Sequence, residues 1–379
     1  MPNMDLTPPN QQPSDQARLL VNDKVYEGWL AFSIIRSMDA PSGSFDLAIS
    51  DSWPGGGQPW PLKEGDECQL NLGSEPLLNG YIDSVKYELS GASRSLAVSG
   101  RDKACDLVDC SYIEKPDQWR KGKVSEIAMA LAKPFGVTVT IAVPDSEVSN
   151  FKIEPGETAY DALARLLKLK GLYAWPDGSG GLTIGSSEFK NLGIVLSEKS
   201  CISISATRDA TERFSEYLVK GQQPSAKAGK DPATAKKASQ TVDESKDPDV
   251  KRYRPLLVIS EGAGAEATER ALWEAAVRAG KALEVEVVVQ GYRPQKGAPI
   301  WALGTLVGIE APGIGLTGEL LISGVKFDLQ EGSGHTTTLT LARPDAYLPE
   351  PIQEGKDKGG AGGGLPPGNG LPEGTVIYS

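Results

Sequence analysis

One stretch of this chain recurs far downstream, and a sequence that carries the same β pattern twice must build two similar units. Ile82-Asp83-Ser84-Val85-Lys86-Tyr87-Glu88-Leu89 aligns with Ile322-Ser323-Gly324-Val325-Lys326-Phe327-Asp328-Leu329 at a constant offset of 240. Leu96-Ala97-Val98 then aligns with Leu339-Thr340-Leu341 at an offset of 243, which makes the intervening turn three residues longer in the second copy. Both hairpins end in an Arg/Asp corner, Gly100-Arg101-Asp102 and Arg343-Pro344-Asp345. Upstream, Pro59-Trp60 before Gly65 matches Ile300-Trp301 before Gly304. Ser33-Ile34-Ile35-Arg36 with Phe45 matches Ser203-Ile204-Ser205-Ala206 with Phe214, at offsets near 170. The matches keep their order along the chain. The alternation in them is closer to period two than to 3.6, so the repeated unit is read as strands.

The rest of the chain fits around that repeat. Apolar runs at Tyr26–Arg36, Phe45–Ile49, Cys68–Leu72, Tyr81–Leu89 and Ser95–Ser99, with turn signals between them, predict a small barrel over 19–102. After Asp102 the period changes. Helical spacing over Val124–Ala132 and Ala159–Leu169, each followed by a strand (Val137–Val143, then Leu172–Trp175), predicts an α/β domain over 103–199 made of two helix-strand units. A second barrel is expected over 200–348, interrupted at 221–298 by an exposed loop, a helix (Ala265–Ala282) and a strand (Leu283–Gln290). The loop, 221–250, is rich in Lys, Ala, Ser and Asp and has few large apolar side chains to bury. Residues 1–18 form a polar, proline-rich and flexible N-terminus, and 349–379 a Gly/Pro-rich tail. The expected fold class is β-rich α+β: two similar small β-barrel domains with an α/β domain between them.

Composition then narrows the chemistry. Among 379 residues there is one histidine, His335, and the four cysteines (Cys68, Cys105, Cys110 and Cys201) form no CxxC pair. Metal centres draw on several such ligands, and Ser-His or Cys-His catalysis needs a placed base, so neither a metal site nor a catalytic set is expected. Scattered cysteines in a chain this long read as small buried residues in a reducing compartment. The net charge is −11, which argues against nucleic-acid binding. The N-terminus lacks the basic start and apolar core of a signal peptide, and no apolar run approaches the roughly 20 residues of a membrane span.

Three motifs have both a chemical and a simpler reading. Gly262-Ala263-Gly264-Ala265-Glu266-Ala267 fits G-x-G-x-x-A between a strand and a helix, with Glu284 or Glu286 about 20 residues on. Those acids open the next strand instead of ending it, so the segment reads as a turn with a helix start; a nucleotide-binding module stays open as an alternative. Paired carboxylates, Asp106 with Asp109 or Glu154 with Glu157, could serve a cell-wall hydrolase, but 50 acids are scattered through the chain and no pair has a recognisable setting. Surface solvation is the simpler reading for them and for His335. No cofactor is expected. In the tail, Val376, Ile377 and Tyr378 follow a Gly/Pro-rich linker and are candidate partner-docking residues.

The residues also resemble a known family. Gly80-Tyr81-Ile82-Asp83-Ser84, then Gly100-Arg101-Asp102-Lys103 with Asp106-Leu107-Val108-Asp109-Cys110, are similar to the tail baseplate hub family of phage Mu type (tail protein P). Gln118-Trp119-Arg120, Phe135-Gly136-Val137-Thr138-Val139, Arg213-Phe214-Ser215-Glu216-Tyr217 with Val219-Lys220-Gly221, and Val250-Lys251-Arg252-Tyr253-Arg254-Pro255 add to the match. Together they span roughly 20–350 in the same order. The resemblance implies a structural protein of a contractile tail, present in the virion and assembled in the host bacterial cytoplasm. It implies a homotrimer whose paired barrels form a pseudo-sixfold ring, between the tail tube, with baseplate wedge proteins beside it, and a trimeric membrane-piercing spike. It carries over no catalytic residue.

Overall fold

A computed structural model describes residues 17–27, 29–50, 61–73, 75–89, 94–221, 241–260, 265–330 and 334–351. The first part contains β1 (Ala17–Val21), β2 (Lys24–Tyr26), β3 (Ala31–Ser37), β4 (Ser44–Ser50), β5 (Glu67–Leu72), β6 (Glu75–Leu89) and β7 (Arg94–Asp102). The middle part runs α1 (Cys105–Asp109), β8 (Gln118–Lys123), α2 (Val124–Ala132), β9 (Val139–Ile141), β10 (Glu147–Lys152), α3 (Ala159–Leu169), β11 (Tyr173–Pro176) and β12 (Leu182–Gly185). The last part comprises β13 (Lys190–Ser197), β14 (Ser203–Arg208), β15 (Glu216–Gly221), β16 (Thr241–Lys246), β17 (Pro255–Ser260), α4 (Ala265–Lys281), β18 (Leu283–Gln290), β19 (Thr305–Ala311), β20 (Leu316–Gln330) and β21 (Gly334–Ala342).

The protein is β-rich, and its two β regions share one 13-stranded sheet. Its main path is β14-β18-β21-β20-β3-β4-β7-β6-β5-β1-β2, with β13-β19 attached to β20. The expected pair of separate barrels therefore appears as two halves of a continuous sheet, joined where β20 pairs antiparallel with β3. Single-sequence patterns carry no signal for such a joint, because both strands already satisfy their own alternation.

Within the sheet the repeat is exact in strand order. The first half reads β3-β4-β7-β6-β5-β1 and the second β14-β18-β21-β20-β19-β13. β6 and β20 are both 15 residues long, and each has a bulge at the same place, between Ile82 and Ser84 and between Ile322 and Gly324. Gly65 and Gly304 both have positive φ, and each N–H donates to the carbonyl of the matching isoleucine, Ile82 at 2.7 Å and Ile322 at 3.1 Å. Burial alternates as a half-buried sheet requires: Val285, Val287 and Val289 point inward, Glu284 and Glu286 outward.

The registers adjust three sequence alignments. Val98 pairs with Val85 as Leu339 pairs with Val325, so the hairpin offset is 241 and the turn only one residue longer. β3 corresponds to β14 at an offset of 172, since Phe32 faces Leu47 as Ile204 faces Val287. Both corrections move the alignment by two residues, which leaves every side chain on its expected face. The counterpart of β4 is β18, not the segment around Phe214. Leu283–Gln290, expected inside the interruption, is thus a central strand of the second half, and the inserted piece runs from β15 to α4.

That insertion is a three-stranded sheet, β16-β15-β17, covered by α4. Tyr217 and Val219 of β15 are fully buried, as are Ala267 and Ala271 of α4. β16 corrects the reading of 221–250 as loop: Thr241–Lys246 pairs antiparallel with β15 throughout its length. Its sequence, TVDESK, holds a single large apolar residue and so carries little strand signal, although its backbone pairs with β15 along its whole length.

The middle part follows the sequence reading more closely. Thr158 caps α3 by accepting from the Asp161 N–H at 3.0 Å, and Leu163, Leu166 and Leu167 form its buried face. Helix α2 gives way to a 3-10 turn and then Gly136, whose φ is 66°. β9 and β11 occupy the expected strands. The β8–β10 pair was not foreseen, and the last strand of the 103–199 span, β13, leaves this region to run parallel to β19 in the large sheet.

Candidate assembly surface

The joint between the two halves is a strand-to-strand contact closed by buried side chains. β20 splits one edge between two partners: β19 covers Leu316–Leu321 and β3 covers Gly324–Leu329. The bulge at Ser323 makes the change of partner possible, because it turns that residue out of the ladder. Its carbonyl then accepts from the Met38 N–H at 2.8 Å, just past the end of β3, while its hydroxyl donates to the Thr340 carbonyl at 3.2 Å. The side chains that meet across the joint are sealed: Ile34, Val325 and Phe327 are buried, and the Arg36 guanidinium lies 5.4 Å from the Phe327 ring centroid.

Arg36 also ties the sheet to the middle part. Burial pulls its pKa down to about 10, and the carboxylates of Asp177 and Asp102 oppose that, so it stays charged at neutral pH. Asp177 shapes the β11–β12 turn by accepting from the Ser179 N–H at 2.7 Å and the Gly181 N–H at 3.0 Å. Gly178 sits in that turn at φ +85°, with Arg36 so close that a Cβ there would overlap the guanidinium. Asp102, at the end of β7, accepts from the Gly43 N–H at 2.6 Å and the Ala104 N–H at 3.0 Å, fixing both the β3–β4 turn and the start of α1. Burial nevertheless pushes its pKa up to about 6 against those donors.

Several strands of the large sheet have an edge with no strand beside it among the described residues, β2 and β13 among them, and two of these edges correspond to the two sides of the joint. One is β14, at the end of the sheet path; the other is the outer edge of β6 beyond its bulge, where β5 covers only the first part of the strand. Tyr87 on β6 is 51% exposed, whereas its counterpart Phe327 is 0% exposed.

The residues singled out for chemistry are scattered through this architecture. Ala267 packs against Val219 and Ala271 as core, Ala265 begins α4, and Gly262 to Gly264 lie outside the described residues. Glu284 and Glu286 belong to the β18 ladder. Asp109 joins Asp83 around Arg101, at 2.9 and 2.8 Å, and Glu157 pairs with Arg165 at 2.8 Å. Asp109 and Glu157 are thus each held by an arginine, the Glu157 side chain largely covered. The His335 carbonyl accepts from the Gly291 N–H, and its ring lies 5.1 Å from that of Tyr292. Cys68 and Cys105 are buried, and burial pushes both thiols up to about 12. Among the described residues no three His, Cys, Asp or Glu side chains cluster in a way that could hold a metal ion. No helix there is long and apolar enough to cross a membrane. Val376, Ile377 and Tyr378 lie outside the described residues.

Three family profiles match in chain order: "Mu phage baseplate assembly protein GpP-like, N-terminal" over 16–102, "Baseplate hub protein gp44-like, second domain" over 104–186, and "Mu phage baseplate assembly protein GpP, fourth domain" over 263–350. The baseplate hub protein gp44 of Escherichia phage Mu is 30% identical over 361 residues, covering 93% of this chain and 94% of that protein. This chain belongs to the phage Mu baseplate hub family. Among solved structures, the 43 kDa tail protein of prophage MuSo2 from Shewanella oneidensis is 29% identical with a TM-score of 0.77, covering 89% of this chain and 100% of that one. A tail protein from Neisseria meningitidis MC58 has the same fold, with a TM-score of 0.71, 23% identity and coverage of 89% and 98%. As a member of the hub family, the chain is a structural component of a phage tail baseplate, not an enzyme. Sequence set α4 apart within the 221–298 interruption of the second barrel, but did not show that β15, β16 and β17 form a sheet beneath it. The alternation of Leu283–Gln290, which matches that of β4, was the signal that this strand belongs to the large sheet and not to the interruption.

Proposed function

We propose that three copies of this chain close a ring of six similar β units at the tip of a contractile tail. Each half of the large sheet supplies one barrel-like unit. Such a ring meets a sixfold tube on one face and a threefold spike on the other, because six near-equivalent units carry both symmetries. The duplicated strand order, with its matching bulges at Asp83 and Ser323, is the observation that carries this reading. On it, the chain's partners are its own copies, the trimeric spike, the tube and the baseplate wedges; it is assembled in the host cytoplasm and carried in the virion. Each chain contributes its first half, its middle part and its second half, with the middle part and the β15–α4 insertion as outward additions to the ring. Val376, Ile377 and Tyr378 act as a tethered docking peptide.

Light scattering after size exclusion tests the ring directly. The expected mass is three times the 40.2 kDa of one chain. The buried interface is expected at the large, obligate end of the range, above roughly 2,000 Å². If removal of 351–379 leaves binding to spike and wedge unchanged, the docking peptide is discarded while the ring reading stands.

A further inference from the structure

The repeat supplies its own template for the contact between chains. Inside the chain, β20 beyond its bulge is covered by β3, with Val325 opposite Arg36, Lys326 opposite Ile35, Phe327 opposite Ile34 and Asp328 opposite Ser33. The registers make β6 the counterpart of β20 at an offset of 240, and β14 the counterpart of β3 at 172. Of the edges with no strand beside them among the described residues, β6 beyond its bulge and β14 are thus the pair that corresponds to the two sides of this joint, present in one chain but not joined to each other.

We propose that β14 of one copy adds antiparallel to the outer edge of β6 of the next, so that the between-chain seam repeats the β3–β20 joint. Transferred residue by residue, the register sets Val85 opposite Arg208, Lys86 opposite Thr207, Tyr87 opposite Ala206 and Glu88 opposite Ser205. This deepens the ring reading above and rests on it.

Three features of the side chains fit the transfer. Tyr87 takes the place of Phe327: the aromatic is sealed where its strand partner is present and 51% exposed where it is not. Arg208 takes the place of Arg36, so the guanidinium-over-ring contact seen with Phe327 is available between Arg208 and Tyr87 of the next copy. Arg208 is already held at the strand end, donating to the Gly315 carbonyl at 3.0 Å. No like charges oppose one another, since Lys86 and Glu88 face Thr207 and Ser205. An open edge of this kind also recruits stray strands, and a closed ring removes that exposure. The contact is heterologous, joining two different patches, which is the type that closes into rings.

Paired cysteines test the register on the full-length chain, in a background with Cys110→Ser and Cys201→Ser. Lys86→Cys and Thr207→Cys are made singly and together; both positions are exposed, so folding is expected to be unaffected. Under mild oxidation, a mixture of the two single variants should give covalent dimers, and the double variant a ladder ending at three chains. Neither single variant alone should link. Light scattering of the same samples before oxidation separates the two levels of the claim. A three-chain mass without the cross-link overturns the seam and leaves the ring standing. A one-chain mass without it, at the highest soluble concentration, overturns both. Faster linking of Lys86→Cys with Ser205→Cys than with Thr207→Cys overturns the register. A single variant that links to itself overturns the heterologous arrangement.

Discussion

The two halves of the large sheet are built to one plan, yet they bury their matching strands differently. In the second half the distal part of β20 has β3 along it, and Phe327 and Val325 are sealed. In the first half the same part of β6 faces outward with Tyr87. The bulged residues diverge accordingly: Ser323 is buried and gives its carbonyl to Met38, whereas Asp83 is exposed and binds Arg101. A second contrast lies at the other end. β1 runs antiparallel to β5, while β13, in the corresponding place, runs parallel to β19. Duplication has preserved what a hairpin needs locally, the bulge and the glycine at its entry, and has let the outer strands change.

The largest expected effect tests that burial difference. Phe327→Ala should cost about 3–5 kcal/mol in urea unfolding, because it empties a sealed site. Tyr87→Ala in the dilute single chain should cost only about 0.5 kcal/mol, as exposed positions do. Equal losses would break the comparison.

Asp102 comes next, and it has no acidic counterpart at the matching position, Arg343. Its folded pKa is raised by burial from 3.8 to about 6, so the folded state binds its proton more tightly than the unfolded one. The stability it contributes is present below about pH 4 and is lost as pH rises through 6, by about 3 kcal/mol for a two-unit shift. Unfolding of wild type and Asp102→Asn at pH 4 and pH 7 should show that slope in wild type alone. A wild-type stability that rises relative to the variant over this interval would reverse the assignment.

The smallest effect compares the two entry glycines. Gly304→Ala meets both a positive φ and the Trp175 ring, 3.0 Å from its new Cβ; Gly65→Ala meets only the backbone strain. The expected costs are about 2 and about 1 kcal/mol, and their difference in thermal unfolding measures the Trp175 contact.

Which parts of this architecture were legible beforehand follows from the range of the interactions. The repeat could be read because strand period and the Gly65/Gly304 turns are local. The alignments slipped by two residues because a period-two pattern cannot distinguish such a slip. β16 was missed because its own composition carries little strand signal, and the β3–β20 joint because nothing in either strand names its partner. The proposed seam between chains was hidden for the same reason. Tyr87 and Arg208 gain meaning only when β6 is overlaid on β20 and β14 on β3.

The neck of the insertion is narrow. The Asp209 N–H donates to the Ala282 carbonyl at 2.9 Å, so the chain leaves and re-enters the sheet at adjacent points. In the first half the same connection is the short turn from Met38 to Gly43. Whatever the insertion does, the sheet treats it as an appendage grafted onto a hairpin. Away from α4, whose Trp273 indole donates to the Leu348 carbonyl at 2.8 Å, its sequence can drift with little demand on the large sheet, which leaves that part of the insertion free to adapt.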